Sequence, residues 1–178
     1  MALRVLILHG LNGSNPPHWQ DWLANKLEAE GIAVSFPFLP EKDNPKREAW
    51  EKSVEDEMER FKPNAVVCHS LGCILWFHLA SKFAIEGIEK LLLVAPPDVN
   101  TELSAAPDFF PAPIPSDLRA AKSLLIVSDS DPYLSMKRAG ELFRTLDIPT
   151  KILQDAGHIN SDSGHGPLQP AYDFLISE

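Results

Sequence analysis

Short apolar runs alternating with longer stretches of helical periodicity predict an α/β fold, a three-layer sandwich in which a six-stranded parallel sheet is covered by helices on both faces. Three observations lead to it. Six runs of four or five residues are apolar almost throughout, as strands buried on both faces must be. Five segments between and after them repeat their apolar residues at helical spacing. The chain has 178 residues, 44% hydrophobic and 23% charged, enough for one core of ordinary globular composition and not for two. Residues 1–178 are therefore read as one compact domain with no room for a large lid.

The elements follow in chain order. The first strand runs from Arg4 to Leu8, and a helix from about Pro17 to Glu30 follows it. The second strand, Ala33 to Phe36, leads to a helix over Lys46 to Phe61 whose interspersed acidic and basic residues mark a solvated face. The third strand, Ala65 to Cys68, runs into a markedly apolar helix, Leu71 to Phe83. After the fourth strand, Lys90 to Val94, the pattern breaks. Residues 96–118 are rich in proline and poor in periodicity, so they read as an irregular loop or small cap within the domain, or as an irregular crossover in place of a helix. Phe109 and Phe110 there are expected to be exposed. Two further strands, Ser123 to Val127 and Thr150 to Leu153, are each followed by a helix, Tyr133 to Thr145 and Pro167 to Ile176.

Bulk charge excludes several classes of partner. A formal net charge of −9 repels phosphate backbones and anionic lipids, which argues against nucleic acid and membrane surfaces. No apolar run approaches the roughly 18 residues that span a bilayer. The N-terminal segment lacks the basic region and cleavage site of a secretion signal. Two cysteines, Cys68 and Cys73, make no disulfide framework, and no Cys or His falls at zinc-site spacing. A cytoplasmic protein needing neither metal nor organic cofactor is expected.

In an open parallel sheet, ligands bind in the crevice at the C-terminal ends of the strands. Three residues just beyond strand ends have the types of a nucleophilic triad: Ser70 after the third, Asp131 after the fifth and His158 after the sixth. The stretch Cys68-His69-Ser70-Leu71-Gly72 nearly matches G-x-S-x-G, which seats a serine on a sharp strand-to-helix turn. Cys68 stands where the first glycine belongs. Its side chain is small enough for a slightly looser turn, so Ser70 is expected to keep its exposed position. Ser70 as a helix N-cap is the plain alternative, and a Cys68 or Cys73 thiolate is a rival nucleophile.

A serine nucleophile needs a base, and the base needs a carboxylate to fix its tautomer. The turn Ser128-Asp129-Ser130-Asp131-Pro132-Tyr133 offers two carboxylates; Asp131 is preferred over Asp129, with helix capping by both as the alternative. His158 follows Gly157, whose freedom suits a loop that swings over the crevice, and His165 competes with it as base. His9, His18, His69 and His78 are assigned to packing or surface roles. Acyl transfer also needs amide donors for the developing oxyanion. The backbone amides of Leu71, just after Ser70, and Leu11, in the loop His9-Gly10-Leu11-Asn12-Gly13-Ser14, are the candidates. That loop lacks G-x-G-x-x-G, so it offers no dinucleotide site.

Placed together, these pieces resemble the small, lidless serine hydrolases of the retinoblastoma-binding-protein type, within the α/β-hydrolase superfamily. The resemblance rests on His9-Gly10 with Gly13-Ser14, His18-Trp19 and Trp22, His69-Ser70-Leu71-Gly72, the turn from Ser128 to Tyr133, and Ala156-Gly157-His158. It implies a reduced hydrolase sheet of order 2-1-3-4-5-6 and a Ser70, Asp131, His158 triad in the chain order of that superfamily. The expected activity is hydrolysis of a small-molecule carboxylic ester with a small acyl group, ahead of an amide or thioester. The alternative is a module that binds a protein partner on a hydrolase shell, using the segment around Phe109 and Phe110.

Overall fold

The computed structural model describes residues 2–177; the two ends of the expected 1–178 domain lie outside the described residues. Six parallel strands form one sheet in the order β2-β1-β3-β4-β5-β6. They are β1 (Arg4–Leu8), β2 (Ala33–Ser35), β3 (Ala65–His69), β4 (Lys90–Val94), β5 (Lys122–Ser128) and β6 (Thr150–Leu153). The helices are α1 (Trp19–Ala29), α2 (Arg47–Phe61), α3 (Leu71–Lys82), α4 (Met136–Leu146) and α5 (Gln169–Ile176). None of the described helices is long and apolar enough to cross a membrane.

Alternation along the strands explains the layers. Leu6, Leu8, Val66, Cys68, Leu91 and Leu93 point to one face and pack with residues of α2, α3 and α4. Val5, Ile7, Ala65, Val67, Leu92 and Val94 point to the other and pack with α1 and α5. All five residues of β3 are buried, and each large apolar side chain so placed contributes about 1.5–3 kcal/mol. This explains why the central strands read as uninterrupted apolar runs.

Three helices, α1, α4 and α5, start two or three residues later than the sequence expectation. α1 begins at Trp19, not Pro17, because His18 is its N-cap and accepts a bond from Gln20 N at 3.1 Å. α4 begins at Met136, not Tyr133, because Ser135 caps it. Asp129 and Asp131 therefore do not cap that helix. At α3 the N-cap position belongs to Ser70, yet its hydroxyl makes no capping bond.

The 96–118 segment is irregular, with a single 3-10 turn at Pro107–Phe109. Its aromatic residues are not the contact surface expected from the sequence. Phe109 is fully buried and meets the Trp50 ring edge-on at 5.4 Å, while Phe110 is half-buried against the same core. The cause is a set of bonds that tie the segment down. His78 Nε2–H donates to Phe109 O at 2.8 Å, and Arg47 bonds Asp108 through its backbone amide and its Nε.

Backbones pack tightly where α3 crosses the end of β1. A Cβ on Gly72 would stand 2.6 Å from Leu8 O and 2.9 Å from His9 O, both backbone atoms that cannot step aside. Cys68 sits elsewhere: it pairs across from Leu8 and is fully enclosed in the α2/α3 core. The residue that departs from the glycine pattern is absorbed behind the turn. Two outcomes follow for equilibrium urea unfolding. Gly72→Ala lowers stability by about 2 kcal/mol or more through overpacking. Cys68→Gly, although it restores G-x-S-x-G, lowers it by about 1–3 kcal/mol through lost burial and added chain freedom.

Candidate active site

Ser70 directly follows β3 in a strained conformation, φ 53° and ψ −121°. Its amide donates to Val94 O at 3.0 Å, and its carbonyl accepts from Cys73 N at 2.9 Å, which fixes the turn from both sides. The hydroxyl is thereby aimed away from the helix. It donates to His158 Nε2 at 2.7 Å, and His158 Nδ1–H donates to both carboxylate oxygens of Asp131 at 3.0 Å each. Asp131 and His158 are buried. The carboxylate also accepts from Tyr133 N at 2.9 Å, and the Tyr133 ring stands edge-on to His158 at 4.6 Å. The three residues proposed from strand-end positions thus form one continuous hydrogen-bonded chain.

The rivals fall outside it. His165 Nδ1–H donates to its neighbour's carbonyl, Gly166 O, at 2.8 Å. Asp129 accepts Asp155 N at 2.8 Å instead of facing an imidazole. Both thiols are fully buried, and burial pushes Cys68 and Cys73 well up from the ordinary thiol range. Cys73 Sγ–H is spent on Val94 O at 3.4 Å.

Sequence reasoning missed how the histidine-bearing loop is held. Ser128 Oγ accepts Ala156 N at 3.1 Å, Asp129 accepts Asp155 N, and Ser130 Oγ accepts Gly157 N at 3.0 Å. Four consecutive residues of the Ser128–Asp131 turn therefore bond the stretch Asp155–His158. The signal was present in Ser-Asp-Ser-Asp, four short acceptors in a row. Nothing in the sequence says which amides they meet, because their partners lie some 27 residues on.

Ser70 opens into a cavity of about 250 Å³ whose lining includes Leu11, Leu71, Pro97, Leu103 and Tyr133 as apolar surface. Its polar side includes Asn12, Asn15, Asn160, Ser161 and Asp162. Both expected amide donors, Leu11 and Leu71, border it. A Cβ on Gly10 would lie 2.9 Å from Ser70 Cβ and 3.3 Å from Leu71 N, so the loop carrying Leu11 abuts the serine turn only because residue 10 is glycine. His9 pins that loop, its Nδ1–H donating to Gly10 O at 2.7 Å and its Nε2 accepting Leu39 N at 2.9 Å. Among the described residues no group of three or more His, Cys, Asp or Glu side chains is placed to hold a metal ion.

Three of the histidines assigned to packing or surface roles, His9, His18 and His69, are buried around the site. Burial is the main cause that lowers all three below the usual imidazole value of 6.5, His18 to about 4 and His69 far below it. Neighbouring His158 adds to the shift of His18 and of His69. The native state keeps these rings neutral where an unfolded chain takes up protons near pH 6.5. The resulting stability is fully present above pH 6.5 and is lost as pH falls towards 4, with His18 alone contributing about 3 kcal/mol. Urea unfolding is expected to show stability falling steadily from pH 7 to pH 5. His18→Asn, which retains a capping acceptor, should remove about one proton from the slope near pH 5.5. A flat profile is the contrary result.

Residues 5–177 match the family described as Serine hydrolase. The chain is 28% identical to YdeN of Bacillus subtilis (strain 168) over 185 residues, 99% of this chain and 96% of that protein. The crystal structure of the ydeN gene product superposes with a TM-score of 0.85 at 23% identity, covering 98% of this chain and 97% of that one. A YdeN-like protein from Pectobacterium atrosepticum gives 0.75 at 23% identity, over 98% and 91% of the two chains. The esterase domain of a Rhodothermus marinus protein gives 0.65 at 17% identity, over 91% and 80%. At such identities these likenesses show the fold, a compact α/β-hydrolase without a large lid. The family match runs from β1 into the C-terminal residues beyond α5 and leaves almost no residue outside it: the chain belongs to the serine hydrolase family.

Proposed function

We propose that this hydrolase cleaves small, uncharged carboxylic esters through a Ser70, His158, Asp131 triad. The observation that carries the reading is the 2.7 Å bond from Ser70 Oγ to His158 Nε2, with Asp131 on the other ring nitrogen. As Oγ bonds to the substrate carbonyl carbon, its proton passes to Nε2 and the carbonyl electrons move onto oxygen. The amides of Leu11 and Leu71 receive that oxyanion, each contributing about 3–4 kcal/mol. Collapse of the adduct breaks the ester C–O bond, and His158 gives its proton to the leaving alkoxide. Water then attacks the acyl-enzyme with His158 as base, releasing the acid and restoring Ser70. Asp131 stays ionised, holding the tautomer and stabilising the imidazolium.

The cavity supports the substrate class. About 250 Å³ suits a short acyl group with a small alcohol, and the lining contains no lysine or arginine to receive a phosphate or carboxylate. Thioesters with heavily phosphorylated carriers fit poorly, and amides demand better leaving-group protonation than esters. No cofactor enters any step. We read the chain as cytoplasmic, in keeping with its two free cysteines, and as of the retinoblastoma-binding-protein type on the residues that suggested it. Nucleic acid and membrane are not assigned as partners, given the net charge of −9. The protein-binding alternative loses the Phe109–Phe110 surface on which it rested.

A fluorophosphonate probe should label the wild type and leave Ser70→Ala unlabelled. Ser70→Ala and His158→Ala should each reduce kcat/KM on a short-chain ester by about 10⁴-fold or more, and Asp131→Asn by about 10⁴-fold. Hydrolysis that survives Ser70→Ala removes the assignment. Within a series of acetate esters of matched size, those with anionic alcohols should be the poorest substrates, and a preference for them would overturn the charge reading of the cavity.

A further inference from the structure

The loop that carries His158 departs from ordinary backbone geometry. Asp155, Gly157 and Ile159 all have positive φ, 49°, 55° and 50°. Two are not glycine, and Ile159 is β-branched, the residue type least suited to that region. Such a loop keeps one shape only where its surroundings over-determine it. Side chains of the β5 turn bond its amides at residues 155, 156 and 157. They leave its carbonyls at 158 and 159, one on each side of the Ile159 Cα, to be held from elsewhere.

Two buried rings hold them. His69 Nε2 lies 3.1 Å from His158 O, and Trp19 Nε1–H donates to Ile159 O at 2.9 Å. A carbonyl can only accept, so the proton of neutral His69 sits on Nε2. The two rings meet each other edge-on at 5.8 Å, so each is braced by the other. His69 belongs to β3 and immediately precedes Ser70, whereas Trp19 opens α1. The residue before the serine thus grips the main chain of the histidine that the serine bonds.

We propose that His69 and Trp19 are positioning residues, whose ring N–H groups lock the His158 backbone so that Nε2 stays in line with Ser70 Oγ. The proposal rests on the reading of Ser70, His158 and Asp131 as the reacting triad. Its content is a coupling: β3 fixes both partners of the Ser70–His158 bond, one through its backbone and the other through the adjacent side chain.

The test compares His69→Phe, which keeps a ring and deletes the donor, with His69→Gln, which returns an N–H near the Nε2 position. For His69→Phe, kcat on a short-chain ester is expected to fall at least tenfold with KM within twofold of wild type. His69→Gln is expected to recover most of that loss. The proton on His158 Nδ1, shared with Asp131, should give a far-downfield NMR signal that broadens in His69→Phe and persists in His69→Gln. Wild-type kcat and an unchanged signal in folded His69→Phe overturn the proposal, as does a His69→Gln variant as impaired as His69→Phe. If His69→Phe does not fold, Trp19→Phe takes its place, and wild-type kcat and signal there are equally fatal. Hydrolysis that persists in Ser70→Ala would instead refute the triad reading, while the downfield signal would still report whether His69 holds His158.

Discussion

The close contact between the first turn of α3 and the carbonyls of Leu8 and His9 is the constraint on which the rest of the site depends. With no Cβ at residue 72, the helix starts against the end of β1. The chain must then reverse sharply between β3 and α3, which forces Ser70 to positive φ and lifts its side chain clear of the helix amides. The same crowding explains Gly10. Were either glycine larger, the β1 loop would be pushed off the serine turn, and the amides of Leu11 and Leu71 would no longer border one cavity. A single steric fact therefore sets the position of the hydroxyl and of both expected oxyanion donors.

Strain of this kind persists only against opposing interactions. Residues held at positive φ without being glycine cost of order 1–3 kcal/mol each, and they include Ser70 in the serine turn and Asp155 and Ile159 in the loop that carries His158. Around Ser70 the opposing terms are the bond to Val94 O and the burial of β3 on both faces. Around Asp155 and Ile159 they are hydrogen bonds from elements far apart in sequence, each worth about 1 kcal/mol net. The two strained segments meet at the Ser70–His158 bond. Their geometry is a property of the sheet's C-terminal edge as a unit, and no one loop holds it alone.

This distribution explains what the sequence made legible. Continuous apolar runs such as Val66-Val67 and Leu91-Leu92-Leu93 are a direct imprint of two-sided burial, so the strands appeared in place. Ser70, Asp131 and His158 were legible because residue type and strand-end position coincide at all three. The burial of Phe109 was hidden, because proline-rich composition reports missing periodicity and says nothing of whether Arg47 and His78 reach across to anchor the segment. The bonds made by His69 and Trp19 were hidden for the same reason: their carbonyl partners are 89 and 140 residues away. Local pattern points to candidate reacting groups, whereas groups that hold others are defined by contacts with no sequence period.

On the proposed triad reading, the choice of imidazole and indole as holding groups follows from the charge that His158 takes on. A proton arriving at Nε2 makes that ring a cation in a buried place, with Asp131 as its counter-ion. A lysine or arginine donating to His158 O would add a second cation nearby and oppose that proton. A serine or threonine at residue 69 is too short to span the gap filled by a ring. Buried neutral His69 provides a donor without a charge, and its burial lowers its own proton affinity, so in the proposed reaction it would not compete with His158 as base. Trp19 offers the same property without titrating at all. A cluster of three close histidines, His18, His69 and His158, thereby leaves one ring both bonded to the serine and paired with a carboxylate, which is the asymmetry a single general base requires.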